Sequence, residues 1–157
     1  MRFQRFAMFT MAFAFAAGAL SGVATATAQT DVMKLVTQFV SGLNTGNIKT
    51  ALATCADRTS IIDEFPPHEW QGPTACSDWA HAFAAANKSQ GISDGKVTLG
   101  KPWRVDVTGE RAYVVTPATY GYTQHGKRIL ESGSVFTVAL QKTAGGWRIT
   151  GWAWAGH

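Results

Sequence analysis

The apolar periodicity of this chain switches near Asp94-Gly95 from a mainly helical repeat to sustained strand alternation, and that switch restricts the fold to helices laid against a sheet. Over residues 31–43, Val32, Leu35, Val36, Phe39, Val40 and Leu43 recur on one helical face. Thr30 or Asp31 can cap that helix, and Asn44-Thr45-Gly46 ends it. Asn47 caps a shorter helix with Ile48, Ala51, Leu52 and Cys55 on one side. Residues 59–65 read as a strand stopped by Pro66-Pro67. Gly72-Pro73 opens a third helix, whose inner stripe is Cys76, Trp79, Phe83 and Ala86.

Beyond the switch, strands are expected over residues 96–107, 111–123, 128–142 and 147–154, the first bulged around residues 100–102. The turns between them are short, so the pairing is antiparallel. A bulge after Ile149, permitted by Gly151, would put Trp152 and Trp154 on one side of the last strand. The class that follows is α+β, with three N-terminal helices packed on one face of a curved, mainly antiparallel sheet.

Residues 1–28 carry the pattern of a secretory signal peptide. Arg2 and Arg5 form the positive start, an apolar run extends from Phe6 to Leu20, and Ala26-Thr27-Ala28 is the cleavage signal before Gln29. The run is too short to span a bilayer. The remaining 129 residues, 29–157, make one domain, and its formal charge falls from +4 to +2 because two arginines leave. No Lys/Arg run or basic stripe suggests nucleic acid. A periplasmic or secreted protein is expected, free of the membrane once the signal is gone. In such a compartment Cys55 and Cys76, the only cysteines, should form a disulfide, since both point inward from their helices.

The order α-α-β-α-β-β-β-β resembles the nuclear transport factor 2-like superfamily, which includes SnoaL-like cyclases and ketosteroid isomerases. The resemblance is carried by Asn44-Thr45-Gly46-Asn47 between the first helices and by the acid-ended strand Ser60-Ile61-Ile62-Asp63-Glu64-Phe65. Trp70-Gln71-Gly72 before the third helix and the closing Gly146-Trp147-Arg148-Ile149-Thr150 add to it. It implies a cone-shaped fold whose sheet wraps a cavity, used by members as an active site, a small-molecule pocket or an interaction surface. It also implies that Asp63 or Glu64 falls near the position of the isomerases' proton-moving carboxylate, while a matching Tyr on the first helix is lacking.

The candidate catalytic residues are Asp63 and His68, which could pair as a dyad on the Pro66-Pro67 loop. The candidate ligand-binding residues are Asp63, Trp70, Trp79, Tyr120, Phe136, Trp152 and Trp154, an aromatic set with indole and phenol donors. His81, His125 and His157 fall off the inner stripe, in a turn and at the end of the sequence. The Cys/His spacing suggests no metal, and no cofactor motif is present. The first reading is an exported protein whose aromatic cavity binds a small apolar molecule. The alternatives are a cofactor-free isomerase, dehydratase or cyclase with Asp63 as base, and an interaction module using the outer sheet face. A buried Asp63 with a raised pKa would put the enzyme first, and a filled core would favour the module. An apolar outer face around Tyr113, Val115, Val135, Thr137 and Ala139 suggests a homodimer.

Overall fold

The computed structural model describes residues 18–156, with side chains from residue 26 onward; most of the expected signal segment and His157 lie outside the described residues. The elements are α1 (Gly18–Asn44), α2 (Ile48–Leu52), β1 (Cys55–Ile62), β2 (Glu69–Gly72), α3 (Ala75–Ser89), β3 (Ile92–Leu99), β4 (Arg104–Thr108), β5 (Arg111–Gln124), β6 (Lys127–Thr143) and β7 (Gly146–Ala155). The sheet runs β2-β1-β7-β6-β5-β3, with β4 also on β5. Every pairing is antiparallel except β1 with β7.

The apolar face read from residues 31–43 is the buried face of α1: Val32 and Val36 are fully buried and Phe39 is 2% exposed. The helix begins earlier than a cap at Thr30 or Asp31 would place it. Thr30 instead donates its hydroxyl to the Ala26 carbonyl one turn back, and the stretch from Val23 to Gln29 before it holds no proline or glycine. Gly42 lets α1 and α2 touch, because a Cβ there would press on the backbone of Ala51. Asn47 caps α2 as expected, accepting from the Thr50 N–H at 3.2 Å. That helix stops short of Cys55, because the Ile149 N–H takes the Thr54 carbonyl at 2.8 Å and draws the chain into the sheet.

Two strands exceed the expected count. Residues 69–72 pair with β1, setting Trp70 against Ile61, so the proline loop is the turn of a hairpin. The segment 96–107 divides instead of bulging. β3 pairs with the second half of β5 and β4 with its first half. Between them, Gly100 donates to the Pro117 carbonyl at 2.8 Å and Trp103 to the Val115 carbonyl at 2.9 Å. Pro102 has no N–H to offer a continuous ladder.

Two irregularities decide which side chains face inward. On β7, Ile149 pairs with Leu140 and Gly151 with Ala139, which leaves Thr150 as an extra residue. Inward positions therefore pass from Trp147 and Ile149 to Trp152 and Trp154, as a bulge after Ile149 requires. On β6 the register slips between Ser134 and Glu131, with Gly133 at φ 87°. Ser134, Phe136, Val138 and Leu140 face inward above the slip, and Glu131 does so below it. The concave face of the sheet, α1 and α3 enclose a core around Phe39, Trp79, Phe136 and Trp152.

Candidate functional site

The core is not filled. A cavity of about 410 Å³ lies between the concave sheet face and helices α1 and α3. Phe39 from α1, Trp79 and Phe83 from α3, Tyr120 and Tyr122 from β5, Phe136 from β6 and Trp152 and Trp154 from β7 line it. The rings support one another: Trp79 stacks on Phe83 at 5.3 Å and meets Trp152 edge-on at 4.7 Å. Such contacts pack the aromatic side chains of the wall against one another.

Asp63 is the first residue after β1. Its N–H donates to the His68 carbonyl at 3.0 Å, closing the hairpin loop, and its side chain turns inward to 8% exposure. Both carboxylate oxygens are held. Oδ2 accepts from Trp79 Nε1 at 2.8 Å, and Oδ1 accepts from the Glu64 N–H at 2.7 Å. Burial raises the pKa of Asp63 above the ordinary 3.8, because the low-dielectric surroundings penalise its charge. The two donors and the nearby His68 oppose that rise without cancelling it.

Two further acids share the cavity. Glu64 is exposed at its rim, and its pKa is raised by partial burial and by repulsion from Asp63 and Glu131. Glu131 accepts from the Tyr122 hydroxyl at 2.7 Å, and that bond is the main reason the phenol is pushed up to about 12. Tyr120 is half-buried and raised by burial. It accepts from Asn87 Nδ2 at 3.5 Å, which leaves its own proton for another acceptor. Gly95 makes room for it: a Cβ there would collide with the Tyr120 hydroxyl. Asn44 belongs to the frame, since its amide both donates to and accepts from the Val97 backbone, at 2.7 and 2.8 Å.

Of the residues singled out in the sequence, Asp63, Trp79, Tyr120, Phe136, Trp152 and Trp154 meet around the cavity. His68 and Trp70 do not line it. His68 adopts φ 74° and is exposed on the loop, and its Nδ1 lies 3.2 Å from the Asp63 carbonyl oxygen rather than from the carboxylate. No dyad is formed. Trp70 is buried behind Phe65, their ring centres 5.1 Å apart, and it is Phe65 that reaches the cavity. Glu131 escapes a sequence reading because simple alternation from Phe136 points it outward; the Ser132-Gly133 dipeptide was the available signal of the slip. Cys55 and Cys76 are joined, with Cα atoms 6.7 Å apart, so the bridge ties the start of β1 to the first turn of α3. The bridge fits an oxidising compartment. Among the described residues, no three His, Cys, Asp or Glu side chains gather as metal ligands, and no helix is long and apolar enough to cross a membrane.

A family model described as the SnoaL-like domain matches residues 32–153. No curated protein matches the sequence. Among solved structures, the chain is similar to a nuclear transport factor 2-like protein with a cystatin-like fold from Novosphingobium aromaticivorans, with a TM-score of 0.72, 13% identity and 90% of each chain covered. It is also similar to a nuclear transport factor 2-like superfamily protein from Salmonella enterica, with a TM-score of 0.70, 16% identity, and 83% of this chain and 92% of that one covered. A hexachlorocyclohexane dehydrochlorinase from Novosphingobium barchaimii aligns with a TM-score of 0.68, 13% identity and 88% of each chain covered. At these identities the likeness is one of fold, and it agrees with the cone of helices on a curved sheet.

Proposed function

Since this chain belongs to the SnoaL-like domain family, we propose that it is a cofactor-free acid–base enzyme, an isomerase, dehydratase or cyclase, acting on an apolar, ring-containing molecule in the cavity. The observation that carries this reading is Asp63, a carboxylate buried on the wall of an aromatic cavity, held by two donors and raised in pKa. A base is most useful when its pKa lies close to the working pH, and burial moves Asp63 that way. A structurally similar dehydrochlorinase is consistent with elimination chemistry on this fold.

In this reading Asp63 takes a proton from substrate carbon next to a carbonyl. The electron pair moves onto the carbonyl oxygen, which accepts a hydrogen bond from the free proton of Tyr120. The enolate then collapses: either Asp63 returns the proton to another carbon, or Asp63 gives it to a β-hydroxyl that leaves as water while the carbon–carbon double bond forms, so Asp63 is regenerated and no redox partner is needed. Trp79 and the Glu64 N–H keep the carboxylate aimed. The cavity is open, which counts against a module that uses only the outer sheet face.

Asp63→Asn decides between enzyme and binder. Turnover should fall by roughly 10²–10⁴-fold while ligand affinity stays within a few-fold, since the amide keeps the shape but cannot take the proton. Unchanged turnover would remove Asp63 from the mechanism. Binding by a wild type that turns nothing over would leave a small-molecule-binding protein. Tyr120→Ala or Trp154→Ala should weaken binding more than stability.

The same proposal places the protein in the periplasm or outside the cell. The signal pattern of residues 1–28 and the Cys55–Cys76 bridge support it. Intact mass of exported material should show Gln29 as the first residue. A homodimer through the outer face is supported by its half-exposed Tyr113, Val115 and Val135. Sedimentation showing only monomer at micromolar concentration would end that part.

A further inference from the structure

The inward stripe of α3 ends on a residue that helix packing does not call for. Trp79, Phe83 and Asn87 follow one another at intervals of four along one face, and all three line the cavity. Before Asn87 the helix favours alanine, with Ala82, Ala84, Ala85 and Ala86 in its last turns. Asn is a poorer helix former, because its amide competes for backbone partners. Here it does not take one. Its side chain is half-buried, and its partner among the described residues is the Tyr120 hydroxyl, to which Nδ2 donates at 3.5 Å. A residue set against local preference and aimed at a cavity group belongs to a site rather than to the helix.

Packing fixes the ring of Tyr120 by other means. Its centre lies 6.1 Å from that of Phe83 and 5.0 Å from that of Tyr122. Its oxygen sits so close to β3 that a Cβ on Gly95 would strike it. None of these contacts directs the hydroxyl hydrogen, which turns to suit its partners. The Asn87 N–H does, by occupying one lone pair of the phenol oxygen. It also opposes the rise that burial imposes on the phenol's pKa. At 3.5 Å the bond is long, as hydrogen bonds of active sites often are until a substrate tightens them.

We propose that Asn87 is the positioning residue of the Tyr120 donor. Its N–H turns the phenol proton away from the end of α3, toward the carbonyl oxygen of the substrate. As charge gathers on that oxygen the phenol takes a share of it, and the Asn87 N–H stabilises the share, because linked hydrogen bonds polarise one another. Asn87 acts through Tyr120 and does not itself touch the substrate. This inference deepens the acid–base reading above and rests on its assignment of Tyr120.

The test uses acetophenone as the carbonyl probe and isotope-edited infrared spectroscopy of its carbonyl band, which a hydrogen bond lowers in frequency. In wild-type protein the band should lie below its position in Tyr120→Phe. Asn87→Leu, which fills the same space without a donor, should give back roughly 10–30% of that shift. In the Tyr120→Phe background the same change should move nothing. Asn87→Ala suits the alanine-rich helix and serves equally should the Leu variant fold poorly. If the Asn87 variants keep the full shift while Tyr120→Phe loses it, Asn87 has no part and Tyr120 keeps its own. A further move of the band in the Tyr120→Phe background would mean that Asn87 touches the ketone directly, which also overturns the proposal. A wild-type band equal to that of Tyr120→Phe, or no binding of acetophenone, would remove the Tyr120 donor and this inference together.

Discussion

The indole Nε1 of Trp79 donates to Oδ2 of Asp63 at 2.8 Å, joining the middle of α3 to the loop after β1. The bond favours the charged form of an acid that burial pushes toward the neutral one. Trp79→Phe keeps a ring in the wall and removes the donor. The Asp63 pKa should rise further, moving the acid limb of the kcat/KM profile to higher pH. A cost of about 1–3 kcal/mol in stability is also expected, because a buried acceptor loses a partner. A profile that stays in place would mean that the bond does not tune the base.

Stability should carry the signature of the same burial. A carboxyl whose pKa is raised on folding binds its proton more tightly in the native state. Wild-type stability should therefore fall as pH rises from the ordinary 3.8 through the raised folded value, with the loss complete above it. Denaturant melts on both sides of that window should show a smaller fall for Asp63→Asn. An equal fall in both proteins would assign the effect to other groups, Glu64 first.

Gly95→Ala probes the packing of Tyr120. The added methyl would occupy the place of the phenol oxygen, so the side chain must move. Turnover should drop as it does in Tyr120→Phe, with little further loss when the two changes are combined. Additive losses would show that Tyr120 is not where Gly95 acts.

The Cys55–Cys76 bridge closes a loop with a sequence separation of 21. Replacing both cysteines with Ala should cost about 3 kcal/mol by the chain-entropy argument. The bridge starts both β1 and α3, the two elements that deliver Asp63 and Trp79. The double variant should therefore also lose turnover before it unfolds globally. Full activity in a destabilised variant would confine the bridge to stability.

The class of the fold was legible wherever a pattern is repeated over several turns or alternations. The buried face of α1, the inner stripe of α3 and the alternation along β5 all follow from a local periodicity that burial must satisfy. Trp152 and Trp154 were legible for a narrower reason, since Gly151 flagged the bulge that turns both inward. Element ends were less so. α2 releases Cys55 because β7, nearly a hundred residues later, claims the Thr54 carbonyl.

Local patterning along the chain dictates the layers, the antiparallel meander, the aromatic wealth of the interior and a cysteine pair able to bridge. Tertiary structure alone decided which polar groups enter the cavity. A one-residue slip on β6 reverses the facing of Glu131, and it depends on how β5 and β6 register along their length. The burial of Asp63 depends on α3 placing an indole over it, and its raised pKa exists only in that desolvated setting. His68, five residues further on, falls outside because its backbone turns left-handed. Periodicity is a property of near neighbours. Desolvation and charge are properties of whatever the fold brings alongside.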